Sequence, residues 1–150
     1  QKNLQTNEEN TLCDQICDVT LNDDSYSFSY NEKRPFNGFV TMNGNTHGCT
    51  ITRKAEGTTH LNLQHQKQTK GMVESIYGIL EIDLFTHRYL KKDNVVAVEY
   101  DILNGDEVLE SYRLMIKMKK IQIPILRRNH LTLLDYILLY KLINPSLPLQ

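Results

Sequence analysis

The dipeptide Asn104-Gly105 most constrains the fold, because it separates two long runs of alternating residues. Before it, Val96, Val98, Tyr100 and Ile102 alternate with Ala97, Glu99 and Asp101; after it, Val108, Tyr112, Leu114, Ile116 and Met118 carry the apolar side chains. Asn-Gly supplies the positive φ angles of a tight hairpin turn, so the two runs read as one long antiparallel hairpin. Alternation gives each strand an apolar face and a polar face, and the apolar faces must be buried against something. Tyr26, Phe28 and Tyr30, interleaved with Ser27, Ser29 and Asn31, read as another strand of the same one-sided kind.

The stretch from Pro35 to Cys49 reads as a turn, a short strand and a second turn. Pro35 pushes Arg34 toward extended conformations, Asn37-Gly38 and Asn43-Gly44 provide turn residues, and Phe39 to Met42 form the strand between them. Further strands are expected at Cys49 to Thr52 and His60 to Leu63, with Glu56-Gly57 as a turn and Gln64 to Thr69 as a polar loop. The β-branched residues of Ile76 to Phe85 favour a strand, and His87 to Asn94 reads as a charged connection. Seven strands in about a hundred residues predict an all-β fold, an immunoglobulin-like antiparallel β-sandwich over residues 18–120. Residues 1–17 are a polar segment, disordered at its start, with little apolar area to offset ordering entropy. Residues 121–150 read as a linker with Pro124 and Arg127-Arg128, then a C-terminal helical appendage from His130 to Ile143, capped by Asn129 and apolar almost all round.

The 150 residues suffice for one domain with an appendage, and 17 basic against 18 acidic residues give no global field that favours nucleic acid. No run of about 18 apolar residues offers a transmembrane segment. The chain begins at Gln1 without an apolar leader, which reads as a processed N-terminus. Three cysteines, Cys13, Cys17 and Cys49, allow at most one internal disulfide and leave one thiol over. The Asn144-Pro145-Ser146 triplet is blocked as a glycosylation site by its proline.

From Val19 to Met118 the order of features resembles the N-terminal half of a zona pellucida module, the ZP-N domain of extracellular matrix and egg-coat proteins. The residues that carry the resemblance are Arg34-Pro35-Phe36-Asn37-Gly38, Cys49, the strand Ile79 to Phe85, Lys91-Lys92-Asp93, and Val96 to Tyr100 with Tyr100 in the place of the family's tyrosine. Three of that family's four cysteines are replaced, by Leu21, Lys70 and Val98. The resemblance implies a secreted or extracellular module of matrix or filament type, acting by protein-protein interaction; with Lys70 in the place of its family partner, Cys49 is left to Cys13 or Cys17 as a substitute disulfide partner. It also implies association through strand edges and an apolar face, by a protein partner or self-association.

The residues expected to carry that association are Tyr100, Tyr112, Leu114 and Ile116, with Leu134, Ile137, Leu138 and Tyr140 in the helix. Arg113, Lys117, Lys119, Lys120, Arg127 and Arg128 form a basic patch that reads as a solvated or guarded edge and, failing that, as a surface for polyanion contact. His60, His65 and His87 read as solvated surface histidines, and no nucleophile motif or glycine-rich phosphate loop is present, so the chain is not expected to be an enzyme or to carry a cofactor. The rival reading is an intracellular binding domain with zinc held by Cys13, Cys17, His47 and Cys49.

Overall fold

The computed structural model describes residues 1–10, 18–32 and 37–119. Its strands are β1 (Lys2–Asn3), β2 (Val19–Leu21), β3 (Ser25–Asn31), β4 (Phe39–Asn45), β5 (Gly48–Lys54), β6 (Thr58–Gln64), β7 (Lys67–Ser75), β8 (Gly78–Lys92), β9 (Val95–Asn104) and β10 (Glu107–Lys117). All ten belong to one sheet in the order β1-β10-β9-β8-β7-β6-β5-β4-β3-β2. From β2 onward each strand pairs antiparallel with the next, and β1 adds to the outer edge of β10 at Tyr112 and Arg113.

The all-β expectation holds, and the sandwich gives way to a single curled antiparallel half-barrel. Most connections are too short to carry the chain to a second sheet, so each strand pairs with its predecessor and the sheet buries its own inner face by curling. The chain's start is not free: Lys2 and Asn3 lie on β10, and the Leu4 amide donates to the Ser111 carbonyl at 2.8 Å. The expected C-terminal helix with Leu134, Ile137, Leu138 and Tyr140 lies outside the described residues, as do Lys120, Arg127 and Arg128 of the basic patch and Cys13 and Cys17.

The hairpin at Asn104-Gly105 forms where expected, with Gly105 at φ 60° and the two long strands in register from Glu107↔Asn104 to Lys117↔Val95. Other sequence signals fall differently. Asn43-Gly44 is not a turn; Gly44 lies within β4 opposite Tyr26, whose ring occupies the place of a Cβ. The polar stretch Gln64 to Thr69 contains the β6–β7 turn and the start of β7, and the charged stretch after His87 continues β8 to Lys92. The expected strand Ile76 to Phe85 is interrupted at its start by the β7–β8 turn, with Gly78 at φ 123°.

The inner face carries the core: Phe28, Met42, Leu63, Leu84, Val96 and Val98 are among its buried residues. Leu63, Leu84, Val96 and Val98 are fully buried, which at about 25 cal/mol per Å² of apolar area makes them principal contributors to stability. A bulge between Thr86 and Arg88 lets β8 keep Thr86 and Tyr89 inward while His87 and Arg88 both face outward.

Candidate functional site

Three surfaces of the curled sheet carry the chemistry. The first is an end of the interior. Tyr26 lies over Gly44, its hydroxyl 2.9 Å from that of Tyr89, and Tyr89 donates to the Asn45 carbonyl at 2.8 Å. Since the Tyr89 proton is committed to Asn45, Tyr26 donates to Tyr89. Cys49, opposite Gly44 on β5, is a buried free thiol, and burial pushes it up to about 12. A thiol so raised is a poor nucleophile and a poor metal ligand, because both roles need the thiolate. His47 of the expected zinc set is exposed in the β4–β5 turn with Nδ1 2.9 Å from the Thr46 hydroxyl. Among the described residues no three metal-ligating side chains gather.

The second surface is the rim that bears the β7–β8 and β9–β10 turns. Ile76, Tyr77, Ile79 and Leu80 are 87, 94, 68 and 62% exposed. The β7–β8 hairpin projects because β8 begins at Gly78 whereas its pairing with β9 starts only at Asp83. Val108 and Leu109 are exposed on the neighbouring hairpin, Leu109 being the extra residue of a second bulge. Carboxylates surround these apolar tips: Glu56, Glu74, Asp106, Glu107 and Glu110 are all exposed. The opposite rim, with the β8–β9 turn and the end of β10, exposes Lys92, Lys117 and Lys119 beside Leu90, which is 40% exposed.

The third is the outer face of β3 to β6, which is polar and almost uncharged. Cross-strand register aligns Ser27↔Asn43↔Thr50↔Asn62 in one row and Ser29↔Thr41↔Thr52↔His60 in the next. A cavity of about 600 Å³ opens around Asn43, Asn45, Thr50 and Gln64, and one of about 260 Å³ around Thr52, His60, Lys70 and Glu81. Thr50 and Asn62 line both. The second exists because β6 and β7 pair only from Thr58 to His60, after which the Thr69 hydroxyl, in place of a backbone amide, donates to the Asn62 carbonyl.

Among the described residues the histidines sit in separate hydrogen-bonded pairs. His60 Nδ1 lies 3.0 Å from the Thr52 hydroxyl, and His65 Nδ1 accepts the Tyr89 amide at 3.0 Å. His87 Nε2 is 2.6 Å from Asp101 Oδ2, while the Ser111 hydroxyl donates to Asp101 Oδ1 at 2.7 Å. The carboxylate stands between serine and histidine, whereas nucleophile activation requires the histidine in the middle.

Of the residues expected to mediate association, Tyr100 is buried and packs against Tyr112 with ring centroids 5.7 Å apart. Tyr112, Leu114 and Ile116 are partly buried against the core. In the basic patch Arg113 is paired with Glu99 at 2.7 Å, and Lys117 and Lys119 are exposed. The exposed tip at Ile76 to Leu80 was hidden in the sequence inside an apparently core-forming strand. Gly78, after Ile76-Tyr77, was the signal that a turn falls there.

An all-β chain whose strands run as one curled antiparallel meander is the class that fold and surfaces define. The chain belongs to the DUF1934 family, a domain of unknown function, whose model matches residues 1–116. This replaces the zona pellucida resemblance, since no family of that kind is detected. The motifs behind it were short turn and strand signals common to many antiparallel sheets, and three of its four cysteine positions were already occupied by other residues. Leu21 packs against the core and Val98 lies in it, whereas Lys70 is exposed in ion pairs with Glu81 and Asp83. No curated protein and no solved structure matches the chain.

Proposed function

We propose that the domain is a non-catalytic assembly module whose copies associate end to end. The apolar, acidic rim of one copy docks on the basic rim of the next. The observation that carries this reading is the projecting hairpin tip, where four large apolar residues, two on each side of Gly78, are more than half exposed. An apolar patch with a charged surround is the usual form of a protein-binding surface. Its carboxylates complement Lys92, Lys117 and Lys119 at the other end of the same sheet, so a second copy supplies the matching surface. The short edge strand β1 supports the strand-edge part of the reading, because with Leu4 it covers β10 only from Ser111 to Arg113. The contacts need no disulfide, so the module can work inside or outside the cell.

Contacts between two different ends are heterologous and generate rings or open chains. Sedimentation velocity across a range of protein concentrations tests the proposal. Growth of dimers and larger species with concentration, reduced by salt and removed in a Tyr77→Ser/Ile79→Ser variant, is the expected result. A chain that stays monomeric throughout, or that associates equally well with both substitutions, rules it out.

A further inference from the structure

The polar outer face of β3 to β6 takes no part in the association proposed above, and its composition is unusual for a merely solvated surface. Such faces ordinarily mix charges of both signs to hold water and to block edge pairing. Here the two cross-strand rows contain serine, threonine, asparagine and histidine side chains, without a carboxylate, lysine or arginine among them. Charge lies at the margins of the rows: Lys54 in the next row toward the β5–β6 turn, Lys67 donating to Gln64 at 3.0 Å, and Lys70 held by Asp83 at 2.8 Å and Glu81 at 2.9 Å.

We infer that this face is a binding site for a neutral polyhydroxylated ligand, an oligosaccharide lying across β4 to β6 along the joined cavities. A sugar hydroxyl both donates and accepts, and so do serine and threonine hydroxyls and the asparagine amide, whereas a fixed charge offers only one role. The larger hollow, about 600 Å³, is open to solvent along the sheet, a shape that suits an extended chain lying on the surface rather than an enclosed small molecule. Its floor is kept low by Gly48, where an added Cβ would overlap the Leu63 carbonyl.

Other ligand classes fit less well. An anionic ligand would need cations within the rows, which contain none, and Lys70 at their edge is already paired with Glu81 and Asp83. A single-stranded nucleic acid would need aromatic stacking platforms, and neither row contains one. The partners are partly organised in advance: Ser27 donates to Asn43 at 2.6 Å, and Gln64 to Asn62 Oδ1 at 3.4 Å. These bonds orient the amides while leaving each with further hydrogen-bonding capacity for a ligand.

The test is amide chemical-shift mapping of the full chain with cellohexaose, maltohexaose and chitohexaose, each titrated to millimolar concentration, with a neutral Gly-Ser peptide of similar length as the rival occupant. At least one sugar is expected to shift the amides of β4, β5 and β6 in a saturable way. Thr50→Val and Asn62→Ala, both on the outer face, are expected to weaken that binding at least tenfold while the rest of the spectrum keeps its native positions. If either variant loses the native spectrum, Asn43→Ala on the neighbouring strand makes the same comparison. Absence of saturable shifts with all three sugars, shifts confined to other strands, or response to the peptide alone would each overturn the assignment.

Discussion

The hydroxyl of Tyr26 lies 2.9 Å from that of Tyr89, and the bond joins β3 to β8 across the inside of the sheet. In the sheet these strands are separated by β4, β5, β6 and β7, so only the curl brings them together. Tyr89→Phe removes the donor to the Asn45 carbonyl and leaves Tyr26 without its acceptor. A cost of about 1–3 kcal/mol is expected for the part-buried groups left unpaired. Gly44→Ala should cost more, because its Cβ would overlap the Tyr26 ring and force the tyrosine out of the contact. Urea unfolding checks both, with lower midpoints at unchanged slope as the expected result.

The same cluster makes the fold sensitive to alkali. Burial raises Cys49 from 9.0 to about 12, and burial raises Tyr89 from 10.0 to about 12. Each acid is harder to ionise in the folded chain than in the unfolded one. Their contribution is therefore complete below the unfolded values and is lost as pH rises through the folded ones. Unfolding free energy should hold to about pH 9 and then fall progressively toward about pH 12. In Cys49→Ala the thiol's share of that decline disappears, so the fall should begin nearer pH 10, where the tyrosines begin to ionise in the unfolded chain. A pH series of denaturant titrations on the two proteins measures the difference, and an identical onset would show that the thiol is not responsible.

Thr86 is fully buried on β8, and its hydroxyl has no hydrogen-bond partner. Thr86→Val replaces the hydroxyl by a methyl group of similar size and relieves a buried, unsatisfied polar atom. A gain of roughly 1 kcal/mol is expected, within the range for such groups. Leu63→Ala, at a site with no solvent exposure, should lose about 2–5 kcal/mol. Opposite signs at two equally buried positions would separate polar strain from loss of packing.

How far the sequence reveals the fold depends on whether a signal is local. Asn104-Gly105 is a local signal, and its hairpin forms, with the two-residue turn falling on Gly105-Asp106 and Asn104 closing β9. Gly44 carries a turn signal locally, yet the ring of Tyr26, distant in sequence, explains why a glycine stands there inside a strand. His87 to Lys92 is charged and reads as a connection, but on a strand with one face to solvent His87, Arg88 and Lys92 point outward, helped by the bulge that turns His87 and Arg88 to the same side, while Lys91, opposite buried Val96, donates to the Asn22 and Asp23 carbonyls. The outer polar rows are invisible in sequence for a similar reason: Ser27, Asn43, Thr50 and Asn62 become neighbours only through three successive registers. Tyr100 fails as a surface residue because alternation fixes which residues share a face but leaves open which face is buried.

Asp101 provides a test of whether the Ser111-Asp101-His87 group is structural. Its carboxylate is mostly buried, with Oδ1 accepting from Ser111 and Oδ2 2.6 Å from His87 Nε2. Asp101→Ala removes the partner of both and should cost about 1–3 kcal/mol. Asp101→Asn keeps an acceptor for Ser111 and can donate to an unprotonated His87 nitrogen, so it should retain most of the stability at neutral pH. Thermal melts of the three proteins at neutral pH distinguish the cases. Equal stability of the Ala and Asn variants would show that the hydrogen bonds contribute nothing and that Asp101 is held by packing alone.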